Sequence, residues 1–261
     1  MGQQLSTWQL VEAPTVVPHP FGLFSVAEPR LTTDEHWRLG IQWQSQACLE
    51  DYITYGQCIS GGETSLTSNS DCVIKQYDPF TVYAYNTDAV PGYTLAEHRD
   101  HTIQRLINGE QLAAERKLWD LMSTIPDATI DASAYTPTYA LAVAEQAIAE
   151  VYPGTGIIHM SRQAATVLWE NLTVSGGRMQ TLIGTPVIIG AGYDNAPGAP
   201  TNTSDLFATG PIILYRGDVD TREQAINMAH NEVSYVAQRD YVLGWDCYAV
   251  RVNTTLDRPL T

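Results

Sequence analysis

The longest regular pattern in this chain is a helical one that ends at Pro126. Apolar side chains recur in it every three or four residues, and they comprise Ile103, Leu106, Ile107, Ala114, Leu118, Leu121 and Met122. Thr94 and Glu97 have the spacing of a capping box where the pattern begins. The sequence therefore predicts one long helix over residues 95–122, about 42 Å in length at about 1.5 Å per residue.

Three further segments have helical spacing. A helix is predicted in TTDEHWRLGIQWQSQAC, where Thr32 and Glu35 could form a capping box. An alanine-rich helix is predicted in LAVAEQAIAEVY, with Pro153 at its end. Ser161 is the predicted N-cap of a third helix, SRQAATVLWENL, which would turn Trp169 and its apolar neighbours inward.

Alternating patterns predict strands in FTVYAYNTD, GIIHM, RMQTLIGTPVIIG, DLFATGPIILY, NEVSYVAQ and DCYAVRVNTT, with a turn at LGWD between the last two. Paired glycines and a Ser/Thr/Asn cluster predict a hairpin-like excursion over residues 55–78. The prolines of the first 31 residues favour an extended arm, which must lie on another surface. Helices and strands are thus mixed along the chain, as in an α+β fold.

Charge and cysteine usage restrict the partners. The chain has 14 Lys and Arg against 29 Asp and Glu, a formal net charge of −15, so we expect no binding of nucleic acid through its phosphates. No apolar run reaches the roughly 18 residues of a membrane span, and the N-terminus lacks a signal-peptide layout, so we expect no membrane partner. The spacing of the four cysteines fits neither zinc nor a disulfide framework, and we expect reduced thiols.

Catalytic motifs are missing: the sequence has no nucleophile elbow, phosphate-binding loop, HExxH or CxxC. His98 and His101 could contribute to a metal site, although a solvated helix face explains them as well. His159 follows an apolar strand and is interpreted as a buried core histidine. Residues 216–218 spell RGD, which at a strand end favours a turn over an adhesion signal. We therefore predict no catalytic residue, no metal and no cofactor.

Two stretches and the order of the elements carry a resemblance. IIHMSRQAATVLWENL followed by LIGTPVIIG, and then ATGPIILYRGD, lie within an arm, helix, loop, long helix and looped sheet. This arrangement resembles the major capsid proteins of tailed bacteriophages, the Hong Kong 97 type, and the related encapsulin shells, over nearly the whole chain. The resemblance implies an α+β capsid fold with five parts. These are an N-terminal arm and helix (1–48), an extended loop (49–79), a peripheral domain with a long spine helix (80–134), an axial domain (135–217) and the rest of the peripheral domain (218–261).

The resemblance also implies a function. The chain would be a non-enzymatic shell subunit that forms pentamers and hexamers of an icosahedral head around double-stranded DNA, without sequence-specific binding. It would lie in the virion capsid after assembly in the host cytoplasm. Scaffolding, portal and decoration proteins would be separate partners.

Two groups of residues would make the contacts between subunits. The arm and the extended loop would bury apolar residues on adjacent copies, a gain of roughly 25 cal/mol per Å². These residues are Val16, Val17, Phe21, Leu23, Phe24, Ile59, Val73 and Ile74. A loop poor in charge would lie at the symmetry axis, where repeated like charges would repel. Its residues are Tyr193, Asp194, Asn195, Pro197 and Gly198.

Some relatives join their subunits by Lys–Asn isopeptide bonds. With only two lysines, only Lys75 is a candidate here, and we predict no such cross-links. Two alternatives stay open. One is an encapsulin-type compartment that holds a cargo enzyme, and the other is a small α/β enzyme that uses His98, His101 or His159.

Overall fold

A computed structural model describes residues 14–27, 29–30, 35–45, 74–88, 94–124, 126–133, 135–193, 203–227 and 232–256. The helices in these ranges are α1 (Leu23–Val26), α2 (Leu95–Thr124), α3 (Pro137–Val151) and α4 (Arg162–Val167), and short 3-10 helices span Glu35–Leu39 and Trp169–Asn171. The strands are β1 (Ile41–Gln44), β2 (Ile74–Tyr77), β3 (Pro79–Asp88), β4 (Ala128–Asp131), β5 (Ile157–Ser161), β6 (Leu172–Ser175), β7 (Arg178–Thr181), β8 (Val187–Gly190), β9 (Thr203–Thr209), β10 (Ile212–Arg216), β11 (Asp220–Asn227), β12 (Glu232–Trp245) and β13 (Ala249–Thr255). No helix in the described part of the chain is long and apolar enough to cross a membrane.

A four-stranded antiparallel sheet is built around the long strand β12. Strand β3 pairs along one edge of β12, while β10 and β11 lie end to end along the other edge. Helix α2 packs across one face of this sheet, where Leu118 and Met122 share a buried cluster with Tyr241 and Leu243. The opposite face carries the exposed rings of Tyr83 and Tyr85 from β3. The small two-stranded sheet of β1 and β2 packs beside this sheet.

A five-stranded mixed sheet has the order β4-β13-β9-β5-β8. Helix α3 covers one of its faces, where Ala144 and Ile148 pack against Ile158 and Val252 in a second buried cluster. Strand β5 is buried along its whole length, including His159 and Ser161. The β6–β7 hairpin follows α4 and leads into β8.

The long helix α2 joins the two sheets. It runs without interruption through 30 residues, slightly farther than the predicted range. The predicted capping box is confirmed: the Thr94 N–H donates to Glu97 at 2.6 Å, and the Glu97 N–H donates to the Thr94 hydroxyl at 3.3 Å. Near its other end Trp119 stacks on Tyr193 and meets Phe207 of β9 edge to face. One helix therefore packs residues of both sheets into the same buried cluster.

Several predicted elements are confirmed, and others are corrected. The strands in FTVYAYNTD and GIIHM are present as β3 and β5, and Ser161 caps α4 through the Ala164 N–H at 3.2 Å. The predicted helix near residue 35 is wrong within the described residues 35–45, where a 3-10 helix spans Glu35–Leu39 and the chain continues as strand β1 after Gly40 at φ +111°. Helix α4 ends early, which leaves Trp169 56% exposed and not inward. The strand β12 passes straight through LGW, and the turn comes after it.

The sheets cross the predicted domain limits. Strand β10, from the predicted axial segment, pairs with β12, and β13, from the returning peripheral segment, lies beside β9 and β4. The predicted division therefore separates strands that are hydrogen-bonded neighbours, and the domain limits stay a prediction. The thiol expectation is wrong at one position, because Cys247 is disulfide-bonded.

Candidate subunit interface

The predicted contact residues of the arm divide into two groups. Val16 and Val17 are 52% and 81% exposed, so their role in contacts stays a prediction. Leu23 is fully buried within its own chain, and Phe21 and Phe24 are half-buried against the two cores. Leu23 therefore already packs within its own subunit, as do the covered faces of Phe21 and Phe24, and the contact of these residues with a neighbouring copy stays a prediction. The apolar pattern was correct, but these side chains find their partners in the same subunit.

A buried carboxylate anchors this end of the arm to α2. One oxygen of Glu115 accepts the Leu23 N–H at 3.0 Å, and the other accepts the Gly192 N–H at 2.8 Å. The Phe21 carbonyl accepts the Ile189 N–H of β8 at 2.8 Å. The arm, the spine helix and the end of β8 are therefore linked through one side chain, which the sequence pattern did not single out.

Most of the predicted contact residues of the extended loop lie outside the described residues. Ile59 and Val73 fall outside the described residues, and Ile74 is described only through its backbone pairing with Gln44. The base of this segment is fixed: the Tyr77 hydroxyl donates to the Trp245 carbonyl at 2.8 Å. The role of these three residues between subunits stays a prediction.

The predicted axial loop begins with a core residue. Tyr193 is buried within its own chain, where its ring fills the space beside Trp119 and its hydroxyl lies 3.0 Å from His159 Nδ1. The other predicted members fall outside the described residues: Asp194, Asn195, Pro197 and Gly198. The described part is therefore the stem of the loop, and its role at an axis stays a prediction.

His159 is confirmed as a core histidine. Thr209 Oγ1 donates to the Gly210 carbonyl, so it accepts from His159 Nε2–H at 2.9 Å, and Nδ1 accepts from the Tyr193 hydroxyl. Complete burial lowers the pKa of His159 to about 3, which keeps the ring neutral. Both nitrogens are occupied, which leaves no free base for chemistry.

The other candidates for a chemical role are His98, His101 and the RGD tripeptide. His98 is buried and His101 exposed near the beginning of α2, and the described residues contain no group of three His, Cys, Asp or Glu side chains suited to a metal. In the RGD tripeptide, Arg216 turns back to Glu110 at 3.3 Å, and the buried Gly217 donates to the Asp240 carbonyl. The preferred interpretation of this tripeptide as a turn is wrong, because β10 and β11 run in the same direction along one edge of β12 and residues 217–219 connect them without reversing the chain.

A second candidate surface is the turn between β7 and β8. The turn after β7 exposes 67% of Leu182 and 79% of Ile183, and the Leu182 N–H donates to the Asn171 carbonyl at 3.3 Å. Gly184 closes the turn at φ +99° with open space around it. A groove of about 580 Å³ separates this turn from α3. Sequence reasoning treated these residues as strand, although the Gly184-Thr-Pro sequence signals a turn.

No protein-family model and no curated protein sequence matches this chain. Solved structures do match. The head of Helicobacter pylori bacteriophage KHP40 has a TM-score of 0.56 at 10% identity, with 95% of this chain and 94% of that chain covered. The capsid of Ralstonia phage GP4 has a TM-score of 0.54 at 10% identity over 100% and 98% of the two chains. The SrpI encapsulin complex of Synechococcus elongatus has a TM-score of 0.53 at 11% identity over 96% and 95%.

These neighbours establish the fold. The chain has the α+β fold of Hong Kong 97-type capsid and encapsulin shells, as the resemblance implied. The matching structures are shell proteins taken from assembled particles.

Proposed function

We propose that this protein is a shell-forming subunit, the major capsid protein of a tailed bacteriophage. Many copies would assemble into pentamers and hexamers of an icosahedral head that encloses double-stranded DNA without reading its sequence. The protein would act without catalysis or cofactor. It would lie in the virion after assembly in the host cytoplasm, with scaffolding, portal and decoration proteins as separate partners.

The observation that carries the proposal is the end-to-end agreement with a phage capsid subunit, 100% of this chain against 98% of the Ralstonia phage chain. The agreement therefore extends over nearly the whole of both compared chains. The exposed turn at Leu182 and Ile183 adds support, because a rigid element that holds apolar side chains in water is typical of a contact surface. The net charge of −15 suits a wall that must not bind DNA tightly.

The test is assembly itself. The protein is purified after expression alone and after co-expression with the proteins encoded beside it, and is examined by light scattering and negative-stain electron microscopy. We expect closed shells with pentameric and hexameric units. Small soluble species under every condition would contradict the proposal.

The encapsulin-type compartment is the second candidate, favoured by the Synechococcus encapsulin neighbour at a TM-score of 0.53. The two candidates differ in contents. Particles purified from the natural source would contain long double-stranded DNA if the protein is a phage capsid, and a protein cargo if it is a compartment shell.

A further inference from the structure

One carboxylate oxygen in the groove beside α3 has no hydrogen-bond donor. Glu145 Oε2 accepts from the Thr185 hydroxyl at 2.6 Å, but Glu145 Oε1 is buried and has no hydrogen-bond partner among the described residues. Leu182 and Ile183 form an apolar rim of the same groove. A buried carboxylate oxygen without a donor is costly, so this position favours an incoming donor from outside the subunit.

A basic side chain at the other end of the same sheet has no acceptor. Arg162 is the first residue of α4 and is exposed, and within the described ranges its guanidinium makes no hydrogen bond or ion pair. A cation in the first turn of a helix faces the positive end of the helix dipole, so local structure does not favour it there. The side chain is free to reach beyond its own subunit.

The two groups lie at opposite ends of β5. The groove includes Gly156, immediately before this strand, and Arg162 follows its last residue, Ser161. Five residues of extended chain cover about 16 Å, so the two side chains do not meet within one subunit. Donor and acceptor at opposite ends of one element are the arrangement that a head-to-tail contact between identical copies requires.

We infer that Arg162 of one subunit enters the groove of a second copy and pairs with Glu145 there, covered by Leu182 and Ile183. The inference rests on the proposed shell function and names one contact within its rings. Each copy gives Arg162 to one neighbour and receives another Arg162 in its own groove, so the contact repeats around a closed ring. The apolar rim keeps water away and thereby strengthens the pair.

Cysteine pairing tests the geometry. Glu145→Cys and Arg162→Cys subunits are expressed separately and together, assembled, and run on a denaturing gel without reductant. We expect a disulfide-linked dimer only in the mixed particles, above the background that the four native cysteines give in each single variant. Mixed particles without the dimer would overturn the contact.

Charge variants test the energetics. Glu145→Gln and Arg162→Gln should each raise the protein concentration needed for assembly about tenfold, and the swap Glu145→Lys with Arg162→Glu should restore it. Glu150→Gln, five residues farther along α3 and exposed, is the matched control and should assemble like the wild type. The melting temperature of the unassembled Glu145→Gln subunit should stay unchanged or rise, because a buried unsatisfied charge is removed. A clear fall would show that Glu145 Oε1 already has a donor inside the subunit, in addition to the Thr185 hydroxyl on Oε2, and would overturn the inference.

The failures are distinguishable. Normal assembly of both single variants would overturn this contact and leave the shell function intact. Failure of the wild type to assemble would refute the proposed function itself.

Discussion

Buried polar side chains of α2 fix the two sheets and the arm relative to one another. Glu110 accepts from Arg239 at 2.5 Å and from the Tyr241 hydroxyl at 2.7 Å, and its other oxygen accepts from Arg216. Glu115 holds the arm and the end of β8 in the same way one and a half turns later along the helix. Since each carboxylate has partners from separate segments, a displaced segment would leave a buried charge with fewer donors.

Replacement of Glu110 should show this cost. In Glu110→Gln two arginines lose their shared counter-charge, and we expect the free energy of unfolding of the unassembled subunit to fall by about 3 kcal/mol. The lower end of the usual range applies because the Arg216 side chain is 27% exposed. Urea denaturation measures the change, with Glu150→Gln as a control expected within about 0.5 kcal/mol of wild type. A loss as small as that of the control would mean that the network contributes little to stability.

His159 should make stability depend on pH. Its pKa is about 3 in the folded chain against 6.5 for an unperturbed histidine, so between these values the unfolded state binds a proton that the folded state does not. Stability should therefore fall as pH decreases from 6.5 towards 3, by about 1.4 kcal/mol per pH unit from this residue. Denaturation of wild type and His159→Gln at pH 7.5, 6.5, 5.5 and 4.5 isolates the effect. The stability difference between the two proteins should shrink as pH falls, and a difference independent of pH would contradict the prediction.

At the scale of elements, two glycines test the spine helix and its contacts, because one has open space around it and the other lies close to backbone atoms. Gly109 lies inside α2 with nothing within 4 Å of a Cβ, so Gly109→Ala should stabilise the subunit by about 0.5–1 kcal/mol. At Gly192 a Cβ would lie 2.5 Å from the Leu112 carbonyl oxygen, where the backbone of α2 cannot yield easily. Gly192→Ala should therefore lower the melting temperature while Gly109→Ala raises it. Equal effects would mean that the approach of the chain at Gly192 to α2 does not limit the structure.

The elements that sequence could predict carry their signal within themselves. The spine helix has a repeating apolar face and its own cap, and β5 is a short run that is mostly apolar and wholly buried. Strands β1 and β11 depend on partners elsewhere in the chain, Ile74–Tyr77 and β12. The local sequence of β1 therefore favoured a helix, and that of β11 predicted no element. The predicted contact residues of the arm are partly exposed and partly buried in their own chain, and sequence could not distinguish the two groups for a similar reason. An apolar residue such as Leu23 has the same sequence signature whether it packs on its own subunit or on a neighbour, and only the fold distinguishes the two.

At the scale of the whole molecule, the stable core and the exposed contact surfaces are separate. Both buried clusters are complete within one chain, so the described subunit does not need a neighbour to fill its core. The free surface nevertheless holds Val17, Leu182, Ile183, Tyr83 and Tyr85 in water. We therefore expect a subunit that is folded before it assembles. Far-ultraviolet circular dichroism should be nearly unchanged by assembly, and a large gain of structure in the assembled particle would contradict this expectation.

The lysines decide whether the assembled shell could become covalently joined. An isopeptide bond between subunits needs a lysine side chain that can reach a neighbouring copy. Lys75 Nζ instead lies 3.9 Å from Asp127 and 5.8 Å from the centre of the Tyr248 ring of its own chain. The other lysine, Lys117, is half-buried on α2. Assembled particles that are boiled with reductant should therefore run as a single subunit band on a denaturing gel. A ladder of multimers that survives reduction in the wild type and disappears in Lys75→Arg would contradict this, since it would mean that Lys75 gives up its contacts with Asp127 and Tyr248 on assembly to react with another copy.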